Sequence, residues 1–352
     1  MVKNPPKILL IYTGGTIGMM KDFGTGALKA FNFKKLLQKI PELQQLDCHI
    51  ETFSFEKPID SSDMNVGFWG EMARIIETHY DLYDGFVILH GSDTMSYSAS
   101  ALSFMLENLN KPVVFTGSQL PIGDLRTDAK ENLITSIQIA SLQHKGKPVI
   151  REVCLYFEYK LYRGNRTTKI SAEQFNAFTS PNYAALAESG VHLKVNESQL
   201  LKSKSTAKLK VHQVLDTRVL IIKLFPGLST SMLDSMLSTS DLQAVVLETY
   251  GAGNAPANDP FLAVLEKHIQ RGLYIINVSQ CPKGSVSMGK YETSTGLKKI
   301  GLISGADITT EAAITKLMYM LGQKVARNTF KTIFETSLRG EMDSNVTDLS
   351  KK

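Results

Sequence analysis

The feature that most constrains the fold is a short apolar run followed at once by a glycine and small polar residues. Residues 86–89 (Phe-Val-Ile-Leu) are too few for a helix of ordinary length and are typical of a strand buried on both faces of a parallel sheet. Gly91 ends the run, and residues 92–94 (Ser-Asp-Thr) are types that favour the start of a helix. Apolar residues then recur at helical spacing up to Leu109. This stretch predicts a buried strand that turns sharply into a helix.

The same order of elements recurs through the first half of the chain. Strands are predicted over residues 7–12, 50–55, 113–116 and 153–157, and helices over 66–80 and up to residue 140. The first strand is followed by Thr-Gly-Gly-Thr-Ile-Gly at residues 13–18, the second by Asp-Ser-Ser-Asp at 60–63. The glycine-rich segment 19–33 is predicted to form a mobile loop over the site, and a helix is predicted from Phe33 to Ile40, ending at Pro41. Strands alternating with helices predict a doubly wound α/β domain with a mostly parallel sheet.

Two domains are expected, because 352 residues exceed the size to which one core usually grows. Residues 196–215 are rich in serine and lysine and are predicted to be a linker. They separate a larger N-terminal α/β catalytic domain, residues 1–195, from a smaller C-terminal α/β domain, residues 216–352. In the latter, strands are predicted over 219–225, 244–247 and 273–278, and a helix over 311–321.

Composition excludes several classes of function. A net charge of +5 with no long basic block gives no indication of nucleic-acid binding. The three cysteines are far apart and odd in number, which fits neither a disulfide framework nor a zinc site, and a reducing compartment is the simpler interpretation. No apolar segment reaches the length of a membrane span, and the N-terminal apolar run is too short for a signal peptide. We therefore expect a cytoplasmic protein with no membrane association, no metal and no cofactor.

The polar residues at the predicted strand ends allow one kind of chemistry. At the switch point of the sheet we expect Thr16, Ser61, Ser92 and Asp93 to meet. A threonine is a nucleophile when another group accepts its proton, and a second hydroxyl bonded to a lysine such as Lys169 can relay that proton. A carboxylate and backbone N–H groups can hold the two charges of a small zwitterion. The pattern favours acyl transfer, although helix capping alone also explains residues 60–63 and 92–94.

Together these motifs resemble the bacterial type I, cytoplasmic L-asparaginases of the asparaginase/glutaminase family. The resemblance runs from about residue 7 to residue 340, and its motifs occur in the family's order. They are residues 13–19 (TGGTIGM), 60–64 (DSSDM), 90–95 (HGSDTM), 163–169 (RGNRTTK), 250–256 (YGAGNAP) and 279–281 (SQC).

The resemblance implies the two-domain asparaginase-like fold and hydrolysis of L-asparagine through a threonine nucleophile and an aspartyl-enzyme intermediate. By this match Thr16 is the nucleophile, and Ser92, Asp93 and Lys169 complete the catalytic set. Assembly into homodimers or homotetramers is also implied. The substrate-binding residues by the same match are Asp60, Ser61, Ser62, Ser92, Asp93, Ser118 and Asn254, the last reaching the site of a neighbouring subunit.

Three positions depart from the family's pattern. The family usually carries threonine where this chain has Ser92, which keeps the hydroxyl but loses the methyl group that stiffens χ1. Many members place a tyrosine in the loop after the first motif, whereas residues 20–30 here contain none, and Tyr291 is our hypothesis for its replacement. Some members bind asparagine at a regulatory site through an arginine, and this chain has Glu248 there.

Three other interpretations fit part of the sequence. The first is a glutaminase or a tRNA-dependent amidotransferase subunit on the same scaffold, although the latter usually carries an extra domain before the first motif. The second is an amino-acid-binding or sensing protein with weak or no catalysis, which Ser92 and the missing loop tyrosine favour. The third, a flavodoxin-like nucleotide binder, is disfavoured because the loops lack phosphate-binding signatures.

Overall fold

The computed structural model describes residues 4–21, 28–30, 40–202, 207–289 and 292–343. Most of the predicted mobile loop, the helix expected between residue 33 and Pro41, and Tyr291 lie outside these residues. The chain divides into two units, residues 1–213 and 214–352. Each has its own sheet and core, so each is described by itself. No helix among the described residues is long and apolar enough to cross a bilayer.

The first unit is built on an eight-stranded sheet with the order β8-β7-β6-β5-β4-β3-β1-β2. Strands β2, β1, β3, β4 and β5 are parallel to their neighbours, and β6 to β8 continue the sheet in antiparallel fashion. The strands are β1 (Lys7–Gly14), β2 (His49–Ile59), β3 (Gly85–Leu89), β4 (Val113–Thr116), β5 (Val153–Phe157), β6 (Lys160–Arg163), β7 (Ala187–Glu188) and β8 (Lys194–Val195).

The central parallel strands β1, β3, β4 and β5 are buried on both faces, as their continuous apolar runs predict, whereas the edge strand β2 is mostly exposed or half-buried. All five residues of β3 are buried, and Leu10 of β1 lies in register with Val87 of β3. Alternate residues of β1, β3 and β4 share one face of the sheet and pack against Leu133 and Ile137 of a helix. Three helices lie among the described residues of this unit: α1 (Val66–His79), α2 (Met95–Met105) and α3 (Ala129–Ser141).

The residues predicted to cap α1 and α2 from the sequence, 60–63 and 92–94, do not cap these helices with their side chains. The side chain of Asn65, not a residue of the 60–63 cluster, caps α1 by accepting a hydrogen bond from Gly67 N. Helix α2 has no side-chain cap, because Thr94 Oγ1 instead donates to the carbonyl of Ser61 at 2.7 Å. The capping interpretation is therefore wrong for Ser92–Thr94, and the hydroxyl of Thr94 joins two strand-end loops.

Two features of the first unit were not predicted. The hairpin between β5 and β6 turns at Glu158 and Tyr159, both with positive φ, without the glycine or asparagine that usually indicates such a turn. The basic loop after β6 is largely buried, although a run of charged residues is typical of solvated surface. Arg163, Asn165, Arg166 and Thr167 are buried.

The second unit has a four-stranded parallel sheet in chain order, β9 (Val219–Lys223), β10 (Ala244–Thr249), β11 (Tyr274–Ser279) and β12 (Ile303–Ser304). Its core packs Val245 and Leu247 of β10 against Phe261 and Leu265 of a neighbouring helix. The described helices are α4 (Thr230–Leu237), α5 (Asp259–Gln270), α6 (Glu292–Lys299), α7 (Thr310–Gly322) and α8 (Arg327–Phe334).

The segment predicted as a linker is partly attached to the first unit. Within residues 196–215, the pair Lys210–Val211 is antiparallel to Leu106–Glu107. The remaining short strand pairs are Met19–Lys21 with Leu28–Ala30, Gln143–His144 with Lys147–Pro148, and Thr168–Lys169 with Phe178–Thr179. Short 3-10 helices cover Thr16–Gly18, Pro41–Gln45, Ser61–Asp63, Gly164–Arg166 and Glu197–Gln199.

Candidate active site

The predicted site residues of the first unit follow the carboxyl ends of neighbouring parallel strands. Thr16 follows β1, Ser61 follows β2, Ser92 follows β3 and Ser118 follows β4. The chain moves from β1 to β2 on one side and then to β3 on the other, so the topological switch point lies between β1 and β3. Thr16 and Ser92 are therefore in the two loops that border the switch point.

Close backbone contacts hold these loops together. Gly14 and Gly15 both have positive φ, at 141° and 84°. A Cβ on Gly14 would lie 2.1 Å from the carbonyl oxygen of Ile59, and one on Gly15 would lie 2.5 Å from Gly91 N. Only glycine allows this approach. The paired glycines thus bring the Thr16 loop against the loops that carry Ser61 and Ser92.

The two threonines beside these glycines have different environments. Thr13 is buried, and its hydroxyl donates to the carbonyl of Leu89 at 2.9 Å, which fixes the end of β1 to β3. Thr16 begins a single 3-10 turn and is only partly buried. Of the two hydroxyls, that of Thr16 is the one accessible to a ligand.

Lys169 lies beside the loop after β3. Its Nζ donates to Ser92 Oγ at 2.8 Å and to Asp93 Oδ1 at 2.5 Å. The lysine side chain is 17% exposed and that of Asp93 is 65% exposed. Lys169 sits on a two-residue strand, Thr168–Lys169, which pairs with Phe178–Thr179 and holds the backbone below the side chain. The result is a sheltered ammonium that bridges a hydroxyl and an open carboxylate.

Gln119 completes the hydrogen bonding of Ser92. Ser92 Oγ donates to Gln119 Oε1 at 3.3 Å, while Gln119 Nε2 donates to the carbonyl of Gln174 at 3.0 Å. The amide orientation follows from this pattern, since Gln174 offers only an acceptor. No role was predicted for Gln119 from the sequence. In the structure the Gln119 side chain accepts the hydrogen bond that the Ser92 hydroxyl donates.

Asp128 holds the loop that carries Gln119. Its carboxylate accepts hydrogen bonds from Gln119 N, at 2.9 and 3.1 Å, and from Leu120 N at 3.2 Å. Asn132, one turn further along α3, donates to the carbonyl of Gly117 at 3.0 Å. Burial raises the pKa of Asp128, and the backbone donors oppose that rise. This role of Asp128 was not predicted, because an aspartate before a helix is expected to cap that helix.

The 60–63 cluster forms a compact turn. Asp60 Oδ1 accepts from both the backbone N and the hydroxyl of Ser62, each at 2.9 Å, and these bonds lower the pKa of Asp60. Ser61 is buried, and a Cβ on Gly91 would lie 2.5 Å from its hydroxyl oxygen. Ser61 is thus the member of this cluster that lies against the loop of Ser92.

A buried chain of hydrogen bonds supports the loop that carries Ser92. Trp69 Nε1 donates to Ser98 Oγ at 2.8 Å, and Ser98 Oγ lies 2.9 Å from His90 Nε2. His90 Nδ1 lies 2.6 Å from the carbonyl of Gly91. Burial lowers the pKa of His90 to about 4, so the ring is neutral and Nδ1 carries the proton. His90 is therefore a packed core residue that supports the loop through its hydrogen bonds.

Ser118, Asn254 and Glu248 have hydrogen-bond partners outside the cluster of Ser92, Asp93 and Lys169. Ser118 is buried, and its hydroxyl donates within its own loop to the carbonyl of Leu120 at 2.6 Å. Asn254 belongs to the second unit, where its backbone bridges to Tyr250. Glu248, in β10, accepts from Thr310 Oγ1 at 2.5 Å and lies 3.9 Å from Lys223 Nζ. In the part of the chain that the structure describes, no three His, Cys, Asp or Glu side chains are grouped to hold a metal ion.

Comparisons with known proteins agree with this architecture. The family model "Asparaginase, N-terminal" matches residues 7–201, and "Glutaminase/Asparaginase C-terminal domain" matches residues 218–334. The chain is 41% identical to L-asparaginase 1 of Escherichia coli over 336 residues, 95% of this chain and 97% of that protein. It is 39% identical to a 60 kDa lysophospholipase of Mus musculus, over 97% of this chain but 64% of that longer protein.

Solved structures give the same result. The crystal structure of L-asparaginase I from Vibrio cholerae superposes with a TM-score of 0.88 at 39% identity. The match covers 96% of this chain and 99% of that one.

Proposed function

Because the chain belongs to the asparaginase family, we propose that it hydrolyses L-asparagine to L-aspartate and ammonia. The observation that carries this proposal is the bridge from Lys169 Nζ to Ser92 Oγ and Asp93 Oδ1, at the switch point next to the Thr16 loop. A pure binding pocket has no use for an accessible hydroxyl beside a hydroxyl–lysine pair, whereas a covalent acyl-transfer site requires both.

Thr16 acts as the nucleophile. Its Oγ attacks the carbon of the substrate's side-chain amide, and the C–N bond breaks as ammonia leaves with a proton. The aspartyl ester formed on Thr16 is then hydrolysed by water, which releases aspartate and restores the threonine hydroxyl. Backbone N–H groups of the glycine turns stabilise the developing oxyanion in both steps.

Ser92 and Lys169 carry the proton. Ser92 Oγ accepts the proton of Thr16 while its own proton passes to Lys169, and this relay requires an uncharged amine because an ammonium is no acceptor. Gln119 holds the Ser92 hydroxyl in position before the substrate arrives.

The remaining residues hold the substrate and assemble the enzyme. Asp93 binds the α-ammonium group, and the turn of Asp60, Ser61 and Ser62 binds the α-carboxylate, with Ser118 supporting the adjacent loop. Asn254 contributes from a neighbouring subunit in a homodimer or homotetramer, and the enzyme works in the cytoplasm. Tyr291 supports the nucleophile.

We also propose that residues 1–195 and 216–352 are the two domains and 196–215 the linker.

The test is ammonia release from L-asparagine and L-glutamine by wild type, Thr16→Ala, Thr16→Ser and Thr16→Val. We expect wild type and Thr16→Ser to release ammonia from asparagine, and Thr16→Ala and the isosteric Thr16→Val to release none. Activity retained in Thr16→Val would exclude the nucleophile, because valine keeps the shape without the oxygen.

Two outcomes correspond to the other functions. Faster release from glutamine would assign a glutaminase. Release from neither substrate, together with asparagine binding by calorimetry, would assign an amino-acid-binding protein. The asparagine–glutamine choice is a one-methylene difference worth about 1–3 kcal/mol, so both substrates must be measured.

A further inference from the structure

A cleft of about 490 Å³ lies in the first unit, away from the catalytic residues. It is formed by the hairpin of residues 143–148, the segment that enters β5, and residues 197–202. These segments lie at the amino end of β5, whereas Thr16 and Ser92 follow the carboxyl ends of β1 and β3. In a parallel sheet these are opposite edges, so the cleft is separate from the proposed active site.

The cleft combines a basic rim with an apolar floor. The floor, formed by Pro148, Val149, Leu200 and Leu201, is half-buried, and two of its residues, Val149 and Leu200, pack against the main core of the unit. One carboxylate, Glu197, lies among the basic residues. The basic rim consists of His144, Lys145, Lys147, Arg151 and Lys202.

The walls of the cleft are fixed by buried interactions. Leu201 N donates to Glu152 Oε1 at 2.8 Å, and Arg163 donates to the carbonyl of Gln199 at 2.8 Å. Glu152 and Arg163 are themselves a buried ion pair at 2.6 Å. On the other side, Arg151 Nε donates to the carbonyl of Pro148 at 3.0 Å. A site with walls already ordered loses little conformational entropy when a ligand binds.

Three of the rim lysines carry charges that no ion pair neutralises within the described part of the chain. No carboxylate of the described residues forms an ion pair with Lys145, Lys147 or Lys202. Like charges gathered around a concave surface repel one another and attract anions, more strongly where apolar walls lower the local dielectric. A phosphate group carries the multiple charge that several cations can share, and a flat apolar ring suits a floor of proline, valine and leucine.

We propose that this basic cleft binds a nucleoside phosphate, with the phosphates at the lysine rim and the base on the Pro148–Leu201 floor. The volume fits this ligand class, since pockets for molecules of that size are about 300–1,000 Å³. The proposal does not depend on the reaction at the opposite edge of the sheet.

The experiment measures binding of ATP, adenosine and inorganic phosphate to the full-length protein by calorimetry. The variants are Lys147→Glu and Lys145→Glu at the rim and Leu200→Ser on the floor. Lys331→Glu, an exposed lysine of α8 in the second unit, is the matched control for charge. We expect ATP to bind more tightly than either fragment, and each rim reversal to weaken ATP about tenfold or more.

The floor variant separates the two parts of the ligand. Leu200→Ser is expected to weaken ATP but leave inorganic phosphate unchanged, and Lys331→Glu to leave both within twofold of wild type. No binding of ATP, or ATP affinity unaffected by Lys147→Glu, would overturn the proposal. A single-stranded RNA oligonucleotide that binds far more tightly than ATP through the same lysines would replace the nucleotide with a nucleic acid. Unfolding by urea confirms that each variant is folded.

Discussion

Lys169 Nζ lies 2.8 Å from Ser92 Oγ, although 77 positions separate the two residues in the sequence. The contact forms because the chain passes from β5 through the antiparallel strand β6 and returns by a buried loop to the carboxyl end of β3. The same ammonium also contacts Asp93. Substrate recognition and proton transfer are therefore joined at one side chain in the proposed mechanism.

Substitution of Ser92 tests the relay. Ser92→Ala is expected to lower kcat about 10²- to 10⁴-fold, the range typical of losing a positioned acid–base group. Ser92→Thr, which restores the hydroxyl and adds a methyl group, is expected to retain most of the wild-type rate. Steady-state ammonia release measures both. A Ser92→Ala enzyme with wild-type turnover would remove this hydroxyl from the mechanism.

Asp128 is expected to act on the rate through the loop of Gln119. Asp128→Asn weakens the acceptor of two backbone N–H groups, so we expect kcat to fall about tenfold or more with a small change in KM. Asp124→Asn is the matched control, because Asp124 also precedes α3 but no donor among the described residues bonds to its carboxylate. The two variants are compared by steady-state kinetics and by urea unfolding. Equal kinetics in both would contradict the positioning role.

Gly15→Ala tests the close approach of the two catalytic loops. The new methyl would lie 2.5 Å from Gly91 N at a backbone conformation of φ 84° and ψ 170°, which is essentially restricted to glycine. We expect loss of activity and destabilisation of more than about 3 kcal/mol. Gly146→Ala is the control, since Gly146 also has positive φ, 77°, but a Cβ there meets nothing within 4 Å. Similar effects of the two changes would show that backbone strain alone is responsible.

His90 gives the stability a defined pH dependence. Its folded pKa of about 4 lies below the ordinary value of 6.5, so the unfolded chain binds the proton more readily. The contribution of the neutral His90 ring to the free energy of unfolding is fully present above pH 6.5. It is lost as the pH falls towards 4, by about 3 kcal/mol in total. Urea unfolding of wild type and His90→Gln at several pH values measures this. The difference between the free energies of unfolding of the two proteins should change between pH 6.5 and 4 and be constant above pH 7.

The buried ion pair of the second unit is expected to be costly to break. Lys316 and Glu341 are both fully buried, and Lys316 Nζ also donates to the carbonyls of Phe334 and Thr336 at 2.7 Å each. Glu341→Gln leaves a buried ammonium without its counter-charge and should destabilise by about 3–5 kcal/mol. The double variant Lys316→Met/Glu341→Leu removes both charges and should recover part of that loss. A double variant less stable than Glu341→Gln would contradict this account.

The regular elements of the site were predictable because they depend on local patterns. Short apolar runs identified the strands of residues 7–12, 86–89 and 153–157, which the structure extends by no more than two residues. The antiparallel strands β7 and β8 are two residues each and leave no periodic pattern. The turn at Glu158 and Tyr159 has no glycine, so no local residue indicates it.

The amino-acid sequence by itself determined which residues stand at strand ends, since alternation, glycine breaks and small polar residues are properties of neighbouring positions. Only the tertiary structure decided which strand ends meet, because strand order depends on packing between distant segments. It brought Lys169 to Ser92 and buried most of the basic loop after β6. It also made the Asp128 side chain an acceptor for backbone N–H groups of the Gln119 loop, and not a cap of α3. The two hydrogen-bonded contacts join residues 9 and 77 positions apart. Their free energy depends on a desolvated interior that exists only once the sheet is assembled.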